Sequence, residues 1–172
     1  MAAVRLTVAA LTVAAAGCGG DEPAAPPPRE SGVVRLVVDG DTLHLEDGRR
    51  VRLVQIDAPE EDSECYGREA TRVLAEIAGR GARVELEPDE ALDDRDDFGR
   101  LLRYVRAGEL NVNLALVERG AAAPYFFRNE RGRYADDLLA AAREARTARR
   151  GFWRACPGAR LEPPLGSRTG RR

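Results

Sequence analysis

Five charged residues in the middle of this 172-residue chain have types and a spacing that suit work on a phosphate group. They are Asp41, Arg52, Asp57, Glu60 and Arg100. Arginine forks bind phosphate oxygens bidentately, a cation such as Ca²⁺ takes carboxylate and carbonyl oxygens, and a further carboxylate can hold or deprotonate water. Taken singly, each residue also fits a turn, a solvated loop or an exposed strand. Taken together, they predict hydrolysis of a phosphodiester.

The elements that must position these residues begin with three strand patterns separated by Asp-Gly turns. Strands are predicted at 33–38, 42–46, 51–56, 83–87 and 101–106, and helices at 67–77, 111–119 and 133–150. Five short strands with an intervening helix are typical of a small Greek-key barrel. We therefore predict an α+β fold, mainly β, in which residues 32–157 form a five-stranded OB-fold barrel with three helices.

The predicted barrel places the charged residues near the ends of strands. Asp57 follows the third strand, just before a proline that ends it, and Arg100 opens the fifth strand. On an alternating third strand, Arg52 shares one face with Val54 and Ile56. An arginine on a face with two apolar residues predicts a partner for it at that end of the barrel.

Four motifs, in order and with matching separations, resemble the staphylococcal nuclease (thermonuclease) family. The resemblance runs from about Val33 to Trp153 and includes 111–120 and 151–153. The motifs are Val38-Asp39-Gly40-Asp41-Thr42, Arg52-Leu53-Val54-Gln55-Ile56-Asp57-Ala58-Pro59-Glu60, Tyr66-Gly67-Arg68-Glu69-Ala70 and Asp96-Asp97-Phe98-Gly99-Arg100.

The resemblance implies an OB-fold endonuclease that hydrolyses DNA and RNA in a Ca²⁺-dependent reaction and leaves 3′-phosphates. In that family pattern, Asp41 and Asp57 match the calcium ligands, with the backbone carbonyl of Ala58 beside them. DNA and RNA are then the expected partners, and no obligate protein partner is predicted.

The resemblance also assigns roles to the remaining site residues. Arg52 and Arg100 match the residues that bind the phosphate and the transition state, and Glu60 matches the proposed general base. Tyr125 matches an aromatic residue that lines the nucleotide pocket. The alternative for this tyrosine is core packing with the two phenylalanines that follow it.

Three positions depart from the family pattern. Ala58 stands where the staphylococcal enzyme has threonine, which matters little if the backbone supplies the ligand. Asp97 stands where a basic residue is common, and Phe127 stands where a second pocket tyrosine would be. The last two departures predict weaker nucleotide binding, with the metal and water sites unaffected.

Residues 1–18 have the pattern of an export signal, which consists of one positive charge at Arg5 and an apolar run over 6–17. That run is too short to span a bilayer as a helix, which needs about 20 residues. The tetrapeptide 15–18 resembles a lipobox, so Cys18 is predicted to be lipidated; ordinary signal cleavage and no export are the alternatives. Residues 19–31 form a Pro-rich linker. The predicted location is the outer face of the cell membrane, through a lipid anchor, or the medium.

Cys65 and Cys156 are the two cysteines outside the export signal. Export to an oxidising compartment favours a disulfide between them, with two free thiols as the alternative. The resemblance to exported bacterial relatives supports the pairing. A cysteine–histidine metal site is disfavoured because His44 is the only histidine. Residues 158–172 are predicted to be a basic, disordered tail.

The formal net charge of −2 gives the chain no overall attraction to nucleic acid. Because some domains of the family that the chain resembles have lost catalytic residues and only bind, a second hypothesis is a catalytically weak OB-fold module on the cell surface that binds nucleic acid or protein. A third is a surface lipoprotein in which the barrel is structural. The presence of all five catalytic-type residues favours the nuclease over both.

Overall fold

A computed structural model of the protein describes residues 30–169. Its strands are β1 (Glu30–Val37), β2 (Thr42–Leu45), β3 (Arg50–Leu53), β4 (Ile56–Asp57), β5 (Arg83–Glu87), β6 (Leu101–Ala107), β7 (Leu110–Asn111), β8 (Ala123–Pro124), β9 (Arg160–Glu162) and β10 (Gly166–Arg168). Its helices are α1 (Gly67–Ala78), α2 (Val112–Glu118), α3 (Ala135–Thr147) and the single turn α4 (Phe152–Ala155).

Five of the strands close into a barrel in the order β3-β2-β1-β5-β6, with β6 returning to β3. The closing β3–β6 pair is parallel, and Leu53 lies opposite Arg103 in it. Strand β1 pairs with β5 through its first half and with β2 through its second half. A register shift between Val34 and Leu36 bends β1 between these partners. The predicted α+β fold, a five-stranded OB-fold barrel, is confirmed.

The barrel interior is apolar because alternate positions of its strands point inward, as Leu43, Leu45 and Val51 do with no exposed surface. Helix α1 buries its 70, 74 and 78 positions against this core. The helix begins at Gly67, where a Cβ atom would lie 2.2 Å from the carbonyl oxygen of Glu60. A glycine is therefore required for the loop that carries Glu60 to approach the start of α1.

The predicted third strand, 51–56, is wrong in its second half. Strand β3 ends at Leu53, and Gln55 adopts a φ of 63°, which turns the chain out of the barrel. The chain continues as β4, which pairs with β8 in a separate two-stranded sheet. The alternation that was expected to place Arg52, Val54 and Ile56 on one face is therefore interrupted.

The ends of the described domain also differ from expectation. Strand β1 begins at Glu30, where Glu30 lies opposite Leu86, so the barrel includes two residues assigned to the Pro-rich linker. Beyond Cys156, β9 and β10 form an antiparallel hairpin in the segment predicted to be disordered. The hairpin is anchored because the Phe126 N–H donates to the carbonyl of Pro163 at 2.8 Å and Leu161 packs against the core.

A disulfide joins Cys65 to Cys156 across 91 residues of sequence. It connects the loop that follows Glu60 to the end of α4. Closing so long a loop stabilises the folded state by roughly 4–5 kcal/mol in the chain-entropy model.

The export signal, the lipidation of Cys18 and residues 19–29 of the linker lie outside the described residues. Within residues 30–169, no helix has the length and apolar character needed to cross a bilayer.

Candidate active site

Arg52 is the centre of the site. Its Nε contacts Asp41 Oδ1 at 2.9 Å and its Nη2 contacts Asp57 Oδ1 at 3.0 Å. Its Nη1 donates to the backbone carbonyls of Leu53 and Ile56, each at 2.7 Å. Because these carbonyls flank the turn where β3 leaves for β4, the turn itself orients the guanidinium between the two carboxylates.

Asp41 is buried between β1 and β2, with 5% of its surface exposed. Its Oδ2 accepts the backbone N–H of Ala58 at 2.8 Å, and its Oδ1 accepts the hydroxyl of Thr42 at 3.2 Å. Burial raises the pKa of Asp41 to about 7, against the opposing effect of Arg52 and with a further rise from Asp39. This carboxyl therefore changes its protonation state near neutral pH.

Arg100 joins the same network from the start of β6. Its Nε donates to Asp96 Oδ2 at 2.6 Å, and its backbone N–H donates to Asp96 Oδ1 at 2.9 Å. Its Nη1 lies 3.4 Å from the hydroxyl of Thr42, which in turn donates to Asp41. The guanidinium stands 5.5 Å from the centre of the Phe98 ring. Thr42 therefore links the two arginines through Asp41.

Glu60 lies in the loop between β4 and α1, with its side chain exposed. Its backbone N–H donates to Glu64 Oε2 at 2.8 Å, which holds the loop in a tight turn. Partial burial raises the pKa of Glu60, and the carboxylates of Asp39, Asp57 and Glu64 act in the same direction. A carboxylate whose pKa is shifted towards neutrality is suited to accept a proton from water.

A cleft of about 260 Å³ opens beside this network. Arg52 and Arg100 line it on one side, and Tyr125, Phe127 and Phe98 contribute aromatic rings. Tyr125 is half-buried and its ring centre is 6.5 Å from that of Phe127. The cleft therefore offers cationic and aromatic groups together, which suits a ligand with a phosphate and a flat ring.

The oxygen atoms around Arg52 fit a hard cation. The carboxylates of Asp41 and Asp57 meet at one guanidinium, with the Ala58 backbone next to them. A carboxylate has about four acceptor positions, so the donors on Asp41 do not exhaust it. Within residues 30–169, no group of three or more His, Cys, Asp or Glu side chains could hold a metal ion. Calcium takes 6–8 oxygen ligands, so carbonyl, water and substrate oxygens would complete the shell.

Three residues that contribute to the site were not singled out from the sequence: Thr42, Asp96 and Gln55. All three stand inside the quoted motifs, and the Asp96–Arg100 pair forms in a loop, where spacing along the chain does not indicate contact. Gln55 had a weak signal, as the one polar residue in the apolar run from 53 to 56. Only the folded chain shows what each of them contacts.

Residues 50–155 match the family model described as staphylococcal nuclease homologue. The chain is 38% identical over 128 residues to an uncharacterized endonuclease of Escherichia coli O157:H7, covering 71% of this chain and 76% of that protein. It is 35% identical over 106 residues to a thermonuclease of Staphylococcus intermedius, covering 57% and 61% respectively. It is also 33% identical over 124 residues to the endonuclease YhcR of Bacillus subtilis (strain 168), where the match covers 62% of this chain and 10% of that protein.

Proposed function

Since the chain belongs to the staphylococcal nuclease family, we propose that it is a calcium-dependent endonuclease that hydrolyses DNA and RNA and leaves 3′-phosphates. Its relatives include proteins named thermonuclease and endonuclease, which supports a nuclease that hydrolyses nucleic acids. The observation that carries the proposal is the network in which Thr42 and Asp41 link two arginines at the edge of one cleft.

Arg52 and Arg100 bind the scissile phosphate in this proposal. Both line the cleft, and both are held in place from behind, by Asp41 and Asp57 in one case and by Asp96 in the other. Preorganised cations gain interaction energy as negative charge accumulates on the phosphate oxygens in the five-coordinate transition state. Their contribution therefore falls mainly on the rate of the chemical step.

Glu60 accepts a proton from the attacking water. The water oxygen forms a bond to phosphorus, the bond from phosphorus to the 5′ oxygen breaks, and the leaving oxygen takes up a proton to become a 5′-hydroxyl. The phosphate then stays on the 3′ side. The raised pKa of Glu60 brings the basicity of its carboxylate closer to what this transfer needs at neutral pH.

Asp41, Asp57 and the backbone carbonyl of Ala58 are the groups that would hold calcium. The bound ion supplies positive charge that stabilises the anionic phosphate during hydrolysis. The residues themselves must deliver deprotonated oxygens, and burial of Asp41 makes this requirement sensitive to pH.

The test of the proposal is cleavage of single- and double-stranded DNA and of RNA by the purified protein, with calcium or with a chelator. We expect cleavage in calcium alone, with products that a 3′-phosphatase converts to 3′-hydroxyls. Binding without cleavage in calcium would instead support the nucleic-acid-binding module. Cleavage that persists in chelator would remove calcium from the proposal.

Substitution of Glu60 tests its role as the proton acceptor. Replacing Glu60 by Ser should lower kcat by about 10²–10³-fold, the range reported when one transition-state contact is lost. The matched control is Glu76→Ser, because Glu76 is an exposed glutamate on α1 whose side chain is 61% accessible. Equal rates for the two variants would place the proton acceptor elsewhere.

We also propose that the protein is exported and anchored through a lipid on Cys18. The support is the apolar run at 6–17 with a lipobox-like end, together with the disulfide between Cys65 and Cys156, since disulfides persist in oxidising compartments. The mass of the N-terminal peptide, measured on protein isolated from cells, tests whether Cys18 carries a lipid. A diacylglyceryl group on Cys18 is expected, and an unmodified N-terminus after cleavage would show release instead.

A further inference from the structure

One wall of the cleft is a segment without strand or long helix, residues 125–132. It supplies Tyr125, Phe127, Arg128 and Glu130 to the cleft lining. Arg128 and the next residue have positive φ values of 52° and 61°, a conformation that non-glycine residues rarely adopt. Such a segment has weak local preferences, so contacts with the rest of the protein must hold it in shape.

Gln55 supplies three of these contacts. Its backbone carbonyl accepts the N–H of Tyr125 at 2.9 Å. Its side-chain Nε2 donates to the carbonyl of Glu130 at 3.0 Å, and its Oε1 accepts the N–H of Gly132 at 2.8 Å. One residue therefore holds both ends of the wall: its backbone carbonyl holds the end at Tyr125, and its side-chain amide holds the end at 130–132 through one donor and one acceptor.

The position of Gln55 connects this wall to the charged network. It lies in the turn between Arg52 and Asp57, it is 5% exposed, and its φ of 63° is unfavourable for a residue with a side chain. The turn also delivers the Leu53 and Ile56 carbonyls that orient Arg52. The hydrogen bonds between its side-chain amide and the backbone of the wall explain why a glutamine is buried here at an unfavourable φ.

We propose that Gln55 is a positioning residue for substrate: its side-chain amide sets the shape of the 125–132 wall, and through it the affinity of the cleft for a nucleic-acid strand. This inference rests on the proposed nuclease function. It assigns no chemical step to Gln55, since the amide faces backbone groups of the wall. Loss of the amide should therefore weaken binding and leave the rate of the bound complex nearly unchanged.

The test replaces Gln55 by Met, which keeps the length of the side chain and removes both of its hydrogen bonds. Gln55→Gly is a second variant that also relieves the positive φ, so that at least one of the two is expected to fold. The matched control is Asn111→Ala. Asn111 also uses its side-chain amide to hold backbone: its Oδ1 accepts the N–H of Leu114 at the start of α2, outside both the wall and the turn at 53–56.

Two readouts are needed. Amide hydrogen exchange of residues 125–132, measured without substrate, should become about tenfold faster in both Gln55 variants, because two bonds that close the segment are lost. For cleavage of a single-stranded DNA oligonucleotide in calcium, KM should rise about tenfold while kcat stays within about twofold. In Asn111→Ala, stability should fall through loss of the cap of α2, while KM and the exchange of the wall should stay near the wild-type values.

The outcomes separate this inference from the function on which it rests. Unchanged exchange of the wall in Gln55→Met overturns the positioning role, and so does faster exchange with an unchanged KM. A fall in kcat with an unchanged KM overturns it in favour of a role in the chemical step. If the wild-type protein neither binds nor cleaves the oligonucleotide, the proposed function fails, and the exchange measurement alone decides whether Gln55 shapes the wall.

Discussion

Arg52 and Arg103 lie on neighbouring strands of the barrel and make nearly the same contacts, but Arg103 is buried and Arg52 is only partly buried. Arg52 on β3 contacts Asp41 and Asp57 and two backbone carbonyls. Arg103 on β6 contacts Glu30 at 3.0 Å and Asp94 at 2.6 Å, and it also donates to two backbone carbonyls. The difference lies in the carboxylates and in what else each guanidinium reaches.

The carboxylates around Arg103 face water, whereas one carboxylate at Arg52 is buried. The side chain of Asp94 is 63% exposed and that of Asp41 is 7% exposed. Water screens the Arg103 pairs, which therefore act as a brace between β1, β6 and the loop before β6. At Arg52, burial raises the pKa of Asp41 to about 7 against the effect of the arginine, and the nearby carboxylates of Asp39 and Asp57 act in the same direction as burial.

Access to the cleft completes the difference. Arg52 lines the cleft. The guanidinium of Arg103 contacts two carboxylates and two backbone carbonyls. Within the described part of the chain, Arg103 is not among the residues that line the cleft. A buried ion pair is thus not a functional site by itself. What distinguishes the proposed site is a buried acid beside an arginine that still faces a ligand-sized space.

The largest effect is expected from removing the arginine that faces the cleft. Replacing Arg52 by Gly should lower kcat/KM for DNA by about 10³-fold, since loss of a transition-state contact costs up to about 4 kcal/mol. Arg52→Lys should remain strongly impaired because an ammonium lacks the planar fork. Steady-state kinetics with a labelled oligonucleotide measure both. Wild-type kinetics in Arg52→Gly would show that the phosphate binds elsewhere.

The matching change at Arg103 should act on stability. Arg103→Met is expected to lower the free energy of unfolding by about 2–3 kcal/mol, because a buried donor to two carboxylates and two carbonyls is lost. Urea unfolding measures this, with kcat/KM of the folded variant expected within about twofold of wild type. If Arg103→Met lost activity about 10²-fold and kept its full stability, the assignment of Arg103 to stability and of Arg52 to activity would be wrong.

Cation binding should depend on pH through Asp41. Its pKa is raised in the folded, cation-free protein, so below about pH 7 a proton occupies the carboxyl that would hold calcium. Calcium affinity should therefore fall about tenfold for each pH unit below 7 and level off above it. For the same reason, the stability of the cation-free protein should decrease as pH rises from about 4 to about 7.

Isothermal titration with calcium between pH 5.5 and 8 measures this dependence. The control is Asp41→Asn, which should bind calcium weakly and lose the dependence that Asp41 causes. An affinity that stays constant over that range in the wild type would contradict the raised pKa of Asp41, and a calcium affinity of Asp41→Asn equal to that of the wild type would contradict its role as a ligand.

The smallest effect concerns the carboxylate that holds the second cleft arginine. Hydrogen bonds from Arg100 lower the pKa of Asp96 against the opposing effect of burial. Asp96→Asn keeps the shape and removes the charge, so kcat should fall about fivefold through looser placement of Arg100. Asp94→Asn, the equivalent change beside Arg103, should leave kcat unchanged. Equal kinetics for the two variants would mean that Asp96 does not position Arg100.

The sequence by itself was enough to predict the barrel and to name the candidate residues of the site. Burial alternates along the strands and recurs at three and four residues along α1, so the local pattern predicts the elements from their side chains alone. The four motifs pointed to the family that residues 50–155 match. They also named Arg52 and Arg100, which the folded chain brings to one cleft.

Other features depend on contacts between distant segments, which periodicity does not record. The break at Gln55 occurs because β4 finds a partner in β8, and the hairpin β9–β10 forms because Phe126 and the core offer it a surface. Neither partner lies near in sequence, so an apolar run appeared to be one strand and a basic segment appeared to be a disordered tail.

The contrast between Arg52 and Arg103 also belongs to the tertiary structure. In the sequence, each is an arginine within an apolar strand, with acids some distance away along the chain. Only closure of the barrel buries Asp41 beside Arg52, leaves Asp94 in water beside Arg103, and opens the cleft on one side of the β3–β6 pair. Desolvation of a carboxylate depends on everything packed around it, so the sequence supplied the charges and the fold decided which of them became a site.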